Sequence, residues 1–180
     1  MHRDVLATAH KIAATYLDGV RDRHVGAQAT HQQLRDALGG PLPRSGSDPA
    51  AVLEQMAAHA DRGLIASAGP RYFGFVVGGA VPVSVGADWI ATSWDQNAGV
   101  YVAGPAAAVV EDIAAGWILE MLSLPSQSSI GFVTGAHMAN FTCLAAARHD
   151  VLRRAGWDVE AKGLQHAPKV RVIAGGEVHM

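Results

Sequence analysis

Residues Ile130 to Arg148, IGFVTGAHMANFTCLAAAR, decide how this chain is read. The apolar run Ile130 to Val133 reads as a short strand. Thr134, Gly135 and Ala136 form a turn of small residues. A helix begins near His137, because Met138, Phe141, Ala145 and Leu152 recur at helical spacing. Two readings of that junction stand side by side. In one it is a tight turn that packs a helix on a sheet. In the other it is an anion site. The first-turn N–H groups lack intrahelical partners, the helix dipole places partial positive charge there, and Gly135 and Ala136 let a phosphate approach the backbone.

Working outward, Lys169 to Ala174 (KVRVIA) alternates charged and β-branched residues, which reads as a second strand. Strand, helix and strand across Ile130 to Ala174 would form a right-handed parallel βαβ unit. Arg153 to Pro168 reads as a polar loop with some helix. Upstream, Gly104-Pro105 opens a strong helix in which Val110, Ile113, Trp117 and Met121 share one face and which Pro125 ends. Val83 to Ser93 reads as a helix. Asp95-Gln96-Asn97 after it reads as a polar loop.

The first 63 residues read as helices and loops without a large core. Val5, Ile12, Tyr16 and Val20 mark a first helix that stops near Gly19. Thr30 and Gln33 have the spacing of a capping box for a second. Asp48 and Pro49 are a cap and a first-turn proline for a third, which Gly63 stops. Such an arm is expected to pack on the main domain or on a second subunit. Between Gly69 and Gly79, glycines and aromatics alternate too closely for a helix, so this stretch reads as a buried extended segment.

Composition narrows the function classes. With 180 residues and 49% hydrophobic content, the chain is too apolar for disorder and long enough for a core. A net charge of −2 leaves no basic stripe, so nucleic acid is not an expected partner. Cys143 is the one cysteine and excludes an internal disulfide. The N-terminus has no secretory h-region, and no apolar run approaches the ~20 residues that cross a bilayer. These features point to the cytoplasm and to no membrane partner. Nine histidines invite a metal, but no H-E-x-x-H pair appears, so no metal ligand is assigned.

Gly135, Ala136, Ala139, Asn140 and the Ala146-Ala147-Arg148 end of the helix resemble the phosphate-binding segment of group II amino acid decarboxylases, which depend on pyridoxal 5′-phosphate (PLP). The resemblance extends from Pro70 to His179. Pro70, Tyr72 and Phe73 match the family's H-P-x-F-F segment, with Gly69 where the histidine often stands. Glu111 and Trp117 match its glutamate and tryptophan on the preceding helix. His137 stands where relatives commonly have Ser or Thr.

The resemblance implies an α/β fold, part of a PLP fold type I large domain over residues 80–180, preceded by a helical N-terminal arm and aromatic segment over 1–79. It implies that Gly135, Ala136 and His137 hold the cofactor phosphate. His179 would stack on the pyridine ring as the catalytic histidine. Tyr72, Phe73 and Asn97 would line the substrate pocket. The expected activity is decarboxylation of an amino acid by a cytoplasmic homodimer. Lys11, Lys162 and Lys169 are the three lysines, and none sits in the family's His-Lys dipeptide. The chain is therefore expected to be the N-terminal part of a longer enzyme and inactive alone. Two rivals remain: a non-catalytic interaction module, and another fold type I PLP enzyme, either a lyase or an aminotransferase.

Overall fold

Helix α1 spans His2–Gly19 in the computed structural model, which describes residues 2–178. Helix α2, His31–Leu38, starts as its capping box requires: Thr30 Oγ1 accepts from the Gln33 N–H at 3.2 Å, and Gln33 Oε1 accepts from the Thr30 N–H at 2.9 Å. Helix α3, Pro49–Ala60, is capped by Asp48, whose carboxylate accepts from the Ala51 N–H at 2.9 Å. Asp61–Gly63 then tightens into one 3-10 turn. A methyl group on Gly63 would come within 2.6 Å of Leu34 Cδ2, so a larger residue there would have to displace the Leu34 side chain. Helix α4 is Pro82–Trp94, and Asp95 ends it in the left-handed region at φ 48°. A second 3-10 turn, Tyr101–Ala103, precedes helix α5, Pro105–Met121. Helix α6, Ala136–Arg154, and the one-turn helix α7, Val159–Lys162, follow.

These elements fall into two compact units that meet in sequence between Asp95 and Gln96. In the first, α1 packs on α3, and α3 on α2. The arm therefore has more internal packing than the expectation of an arm that docks on the main domain or on a second subunit implied. Arg23 is the tie. Its guanidinium donates to both the Asp61 carboxylate and the Asp61 carbonyl at 2.6 Å, and stands 5.1 Å from the Tyr16 ring. Arg71 donates to the Arg23 carbonyl at 2.7 Å, and His10 meets Trp89 edge to face at 6.3 Å. Ala66 is the buried apolar residue there.

In the second unit the core is Leu152 on α6 against Val159 on α7. Trp157 closes the turn between them: its N–H reaches the Leu152 carbonyl and its Nε1 the Gly163 carbonyl, both at 2.9 Å. His149 on α6 and Glu160 on α7 add a contact of 3.1 Å.

The α/β expectation is corrected here. Among the described residues there is no strand: 130–133 and 169–174 are irregular. A strand exists only as one side of a hydrogen-bonded ladder, and no backbone hydrogen bond joins these two segments. Alternation of β-branched residues favours extended backbone but supplies no neighbour. The described residues are helices and loops. Helix α5 also stops at Met121, before Pro125, because Ser123 turns left-handed at φ 53°.

Few side chains are buried. The chain exposes 14953 Å². At 18.8 kDa, one compact domain would expose about 8,300 Å², and two separate halves roughly 10,000 Å². Whatever the arrangement of the units, each leaves much of its apolar surface in water.

Candidate cofactor-binding site

The N-terminus of α6 is the feature with the clearest chemistry. Gly135 is its N-cap, with φ 159° and ψ 173°, and no side chain caps the first turn. The helix ladder begins with the Ala139 N–H on the Gly135 carbonyl at 3.0 Å. The N–H groups of Ala136, His137 and Met138 precede that bond and have no carbonyl four residues back. No acidic residue stands in the first turn, whereas Arg153 and Arg154 occupy the last. The dipole is therefore complemented at the C-terminal end and uncompensated at the N-terminal end. Gly135, Ala136 and His137 are exposed, and a methyl group on Gly135 would meet no atom within 4 Å. Donors aimed outward, open space and positive potential fit a phosphate. Gly135, Ala136 and His137, expected from the sequence to hold a cofactor phosphate, lie together at this helix start.

The same helix holds its far end by charge. Asp150 accepts from Arg153 at 2.8 Å and pairs with Arg154 at 2.6 Å. The Arg153 hydrogen bond, with the Arg154 charge behind it, holds the Asp150 carboxyl below its ordinary value, against a smaller opposing effect of desolvation.

The other expected site residues are dispersed. Tyr72 and Phe73 belong to the first unit. Tyr72 is half-buried, whereas Phe73 is 92% exposed. This corrects the reading of 69–79 as a buried segment: Phe75 is 93% exposed at a left-handed φ of 48°, and Val76 is fully exposed. Asn97 belongs to the second unit, where its Oδ1 accepts from the Gly99 N–H at 2.9 Å and shapes its own loop. A methyl group on Gly104 would lie 2.5 Å from the Asn97 carbonyl oxygen, so that loop closes only over glycine. His179 lies outside the described residues.

Gly69 sits tightly against neighbouring backbone. A Cβ there would stand 3.0 Å from the Val20 carbonyl oxygen and 3.1 Å from that of Ala66. Of the lysines, Lys162 places its ammonium 5.1 Å from the Trp157 ring centre, and Lys11 lies on α1. Among the described residues, no group of three or more His, Cys, Asp or Glu side chains is placed to hold a metal ion, and no helix is long and apolar enough to cross a membrane.

No family model matches the chain. Individual proteins do. It is 28% identical over 133 residues to an aromatic-L-amino-acid decarboxylase of Bacillus atrophaeus, covering 74% of this chain and 28% of that one. It is 25% identical over 190 residues to tryptophan decarboxylase 1 of Oryza sativa subsp. japonica, covering 98% of this chain and 36% of that one. A crystal structure of Oryza sativa TDC with PLP superposes with a TM-score of 0.75 at 25% identity, over 88% of this chain and 36% of the other. The described helices thus follow part of a PLP decarboxylase fold even though no strand forms here. The chain spans about a third of the length of the relatives it matches. Over that third, it is a relative of the group II PLP-dependent amino acid decarboxylases.

Proposed function

We propose that this chain supplies the phosphate-gripping part of a PLP-dependent carboxy-lyase acting on an amino acid. The observation that carries the reading is the uncapped N-terminus of α6, a 19-residue helix with no acid in its first turn, at the phosphate-binding segment that the decarboxylases share. When bound, PLP supplies the electron sink that decarboxylation of an amino acid needs. The chain's own contribution is orientation. Backbone N–H groups of Ala136, His137 and Met138 hold the phosphate, and the helix dipole favours its negative charge. His179 is assigned to the face of the pyridine ring from its register in the sequence. Tyr72, Phe73 and Asn97 are assigned to the amino acid pocket of a cytoplasmic homodimer.

The chain by itself is proposed to be inactive. None of Lys11, Lys162 and Lys169 stands in the sequence setting of the family's cofactor lysine. Phosphate contacts at an exposed helix end contribute roughly 0.3–1 kcal/mol each, and stacking adds roughly 0.5–1.5 kcal/mol. A few such contacts give about millimolar affinity.

The test is an amide NMR titration with PLP beside pyridoxal, which lacks the phosphate. PLP should shift the amide signals of Ala136, His137 and Met138, and pyridoxal should leave them in place. Equal shifts with both ligands, or none with PLP, would remove α6 as the phosphate anchor. Release of carbon dioxide from an amino acid by the chain alone would overturn the inactivity.

A further inference from the structure

In the first unit, the segment that carries Tyr72 and Phe73 is fastened on its upstream side. The Ala66 N–H donates to the Val25 carbonyl at 3.0 Å, and Ala66 itself is buried. The Gly69 N–H returns to the Ala66 carbonyl at 3.0 Å, and the Tyr72 N–H to the Gly69 carbonyl at 3.2 Å. Arg71 then reaches back across 48 positions, and its guanidinium donates to the Arg23 carbonyl at 2.7 Å. Beyond Tyr72 the ties stop. Among the described residues, 73–80 make no hydrogen bond until the chain enters α4. Arg71 is thus the last anchor between distant parts of the chain ahead of that span, and Tyr72 is its immediate neighbour.

The point that Arg71 grips is itself fixed. The Arg23 guanidinium donates to the carboxylate and to the carbonyl of Asp61 at the end of α3, and its side chain is only 24% exposed. The Tyr16 ring lies against it. An ion pair in open water contributes little because its partners wander. A mostly covered guanidinium that uses its planar fork on two acceptors of one residue does not wander. The Arg71 bond adds a charged donor to a neutral carbonyl, which makes it stronger than a bond between neutral groups. Asp61, Arg23 and Arg71 therefore form a relay from α3 to the aromatic segment. At its end the half-buried Tyr72 ring folds over Gly74, where a Cβ would stand 3.0 Å from the Tyr72 hydroxyl.

We propose that Arg71 and Arg23 are positioning residues for the amino acid pocket. Arg71 acts through Tyr72, by fixing the turn that carries it. Arg23 acts one step further back, through the carbonyl that Arg71 grips, and Asp61 holds Arg23 in place. This role rests on the assignment of Tyr72 and Phe73 to that pocket. Neither arginine needs to touch the amino acid or the cofactor.

Amide exchange and NMR on the full 180-residue chain test it. Arg71→Ala should speed exchange at the Tyr72 amide about tenfold and leave the α3 amides as they are, because a local anchor is lost and the helix packing is not. Asp61→Ala releases the Arg23 guanidinium and should speed the Tyr72 amide about threefold in the native chain, but add nothing to Arg71→Ala, since the relay is already cut. Unchanged exchange at Tyr72, equal acceleration in α3, or additive effects of the two changes would each overturn the relay. Should Arg71→Ala lose its helical circular dichroism, Arg71→Gln, which keeps a neutral donor, decides by the same readings at Tyr72 and α3. Phenylalanine at millimolar concentration is the pocket probe. It should shift the Tyr72 ring signals of the native chain and leave those of Arg71→Ala in place. The same shift in both chains overturns the positioning role. No shift in the native chain removes Tyr72 from the pocket, and the positioning role with it. The exchange data would then still show the relay, which locates the failure in the pocket assignment.

Discussion

His137→Asp should move stability and phosphate affinity in opposite directions. His137 is the second residue of α6, exposed, in a first turn that has neither an acid nor a side-chain cap. An aspartate there meets the positive end of the dipole and should stabilise the helix by about 0.3–1 kcal/mol at low salt. Helix propensities of His and Asp are close, so they do not mask the gain. The same carboxylate stands where the phosphate would sit. Because the site is exposed, the water-like limit applies: about 1 kcal/mol per pair of unit charges near 4 Å. Against a phosphate carrying one to two charges, that is about 1–2 kcal/mol, or roughly a 5- to 30-fold loss of PLP affinity. The assay pairs thermal melting by circular dichroism with PLP titration followed at the Ala136 and Met138 amides. Salt should shrink both effects, since both are surface electrostatics. A variant that melts lower and binds PLP as before would refute the reasoning, because α6 would then present no uncompensated positive end.

Leu152→Ala removes the most buried large side chain of the second unit and should destabilise that unit by about 2–5 kcal/mol, read from urea unfolding followed at Trp157 fluorescence. Asp48→Ala removes the cap whose carboxylate accepts from Ala51 and should cost about 1 kcal/mol, seen as faster amide exchange in the first turn of α3. Gly63→Val drives a side chain into Leu34 and should lower the stability of the first unit by about 1–3 kcal/mol, while Leu34→Ala in the same chain should recover part of it. Acid should loosen the end of α6. The folded pKa of Asp150 is depressed, so its contribution is complete above the ordinary value of 3.8 and is lost as pH falls through the lower folded value. Amide exchange at Arg153 and Arg154 should rise over that acid range, and Asp150→Asn should show the loosened end already at neutral pH.

What was legible in the sequence was local. The Thr30 and Gln33 box, the Asp48-Pro49 start of α3 and the Gly104-Pro105 start of α5 each involve residues within a few positions of one another, so the sequence holds both partners. The start of α6 after Gly135 was legible for the same reason. The strands were not, because β-branched alternation at 169–174 describes one side of a ladder and says nothing about the other. The Leu152, Trp157 and Val159 cluster was also missed. Arg153 to Pro168 is polar in composition, and only the turn at Gly156 folds Trp157 and Val159 back on Leu152 of α6. The Arg23 to Asp61 contact spans 38 positions, and no local spacing signals it.

That division also explains which part of the candidate site can be argued from this chain. Tyr72 and Asn97 gain a role in a pocket only through contacts distant in sequence, and the structure shows each engaged in its own loop. The phosphate anchor needs no such contacts. Its donors, its dipole and its open space all come from one helix whose 19 residues exceed the ~12–15 below which an isolated helix is marginal. Its basic last turn, Arg153 and Arg154, is tied to Asp150 one turn back, and Leu152 and Trp157 clamp its end to α7. Tertiary burial is scarce elsewhere in the unit, but α6 is held at the end where holding matters least to the ligand and is open at the end that meets it. Phosphate affinity should therefore persist in conditions that loosen the rest of the chain, and should vanish with the helix itself. Helix-breaking Ala139→Pro removes the Ala139 N–H that begins the ladder on Gly135, so it should abolish the PLP-dependent amide shifts at 136–138. The Leu152 and Val159 clamp should remain, visible as unchanged protection at Trp157. Shifts that survive Ala139→Pro would show that PLP is held by something other than the start of α6.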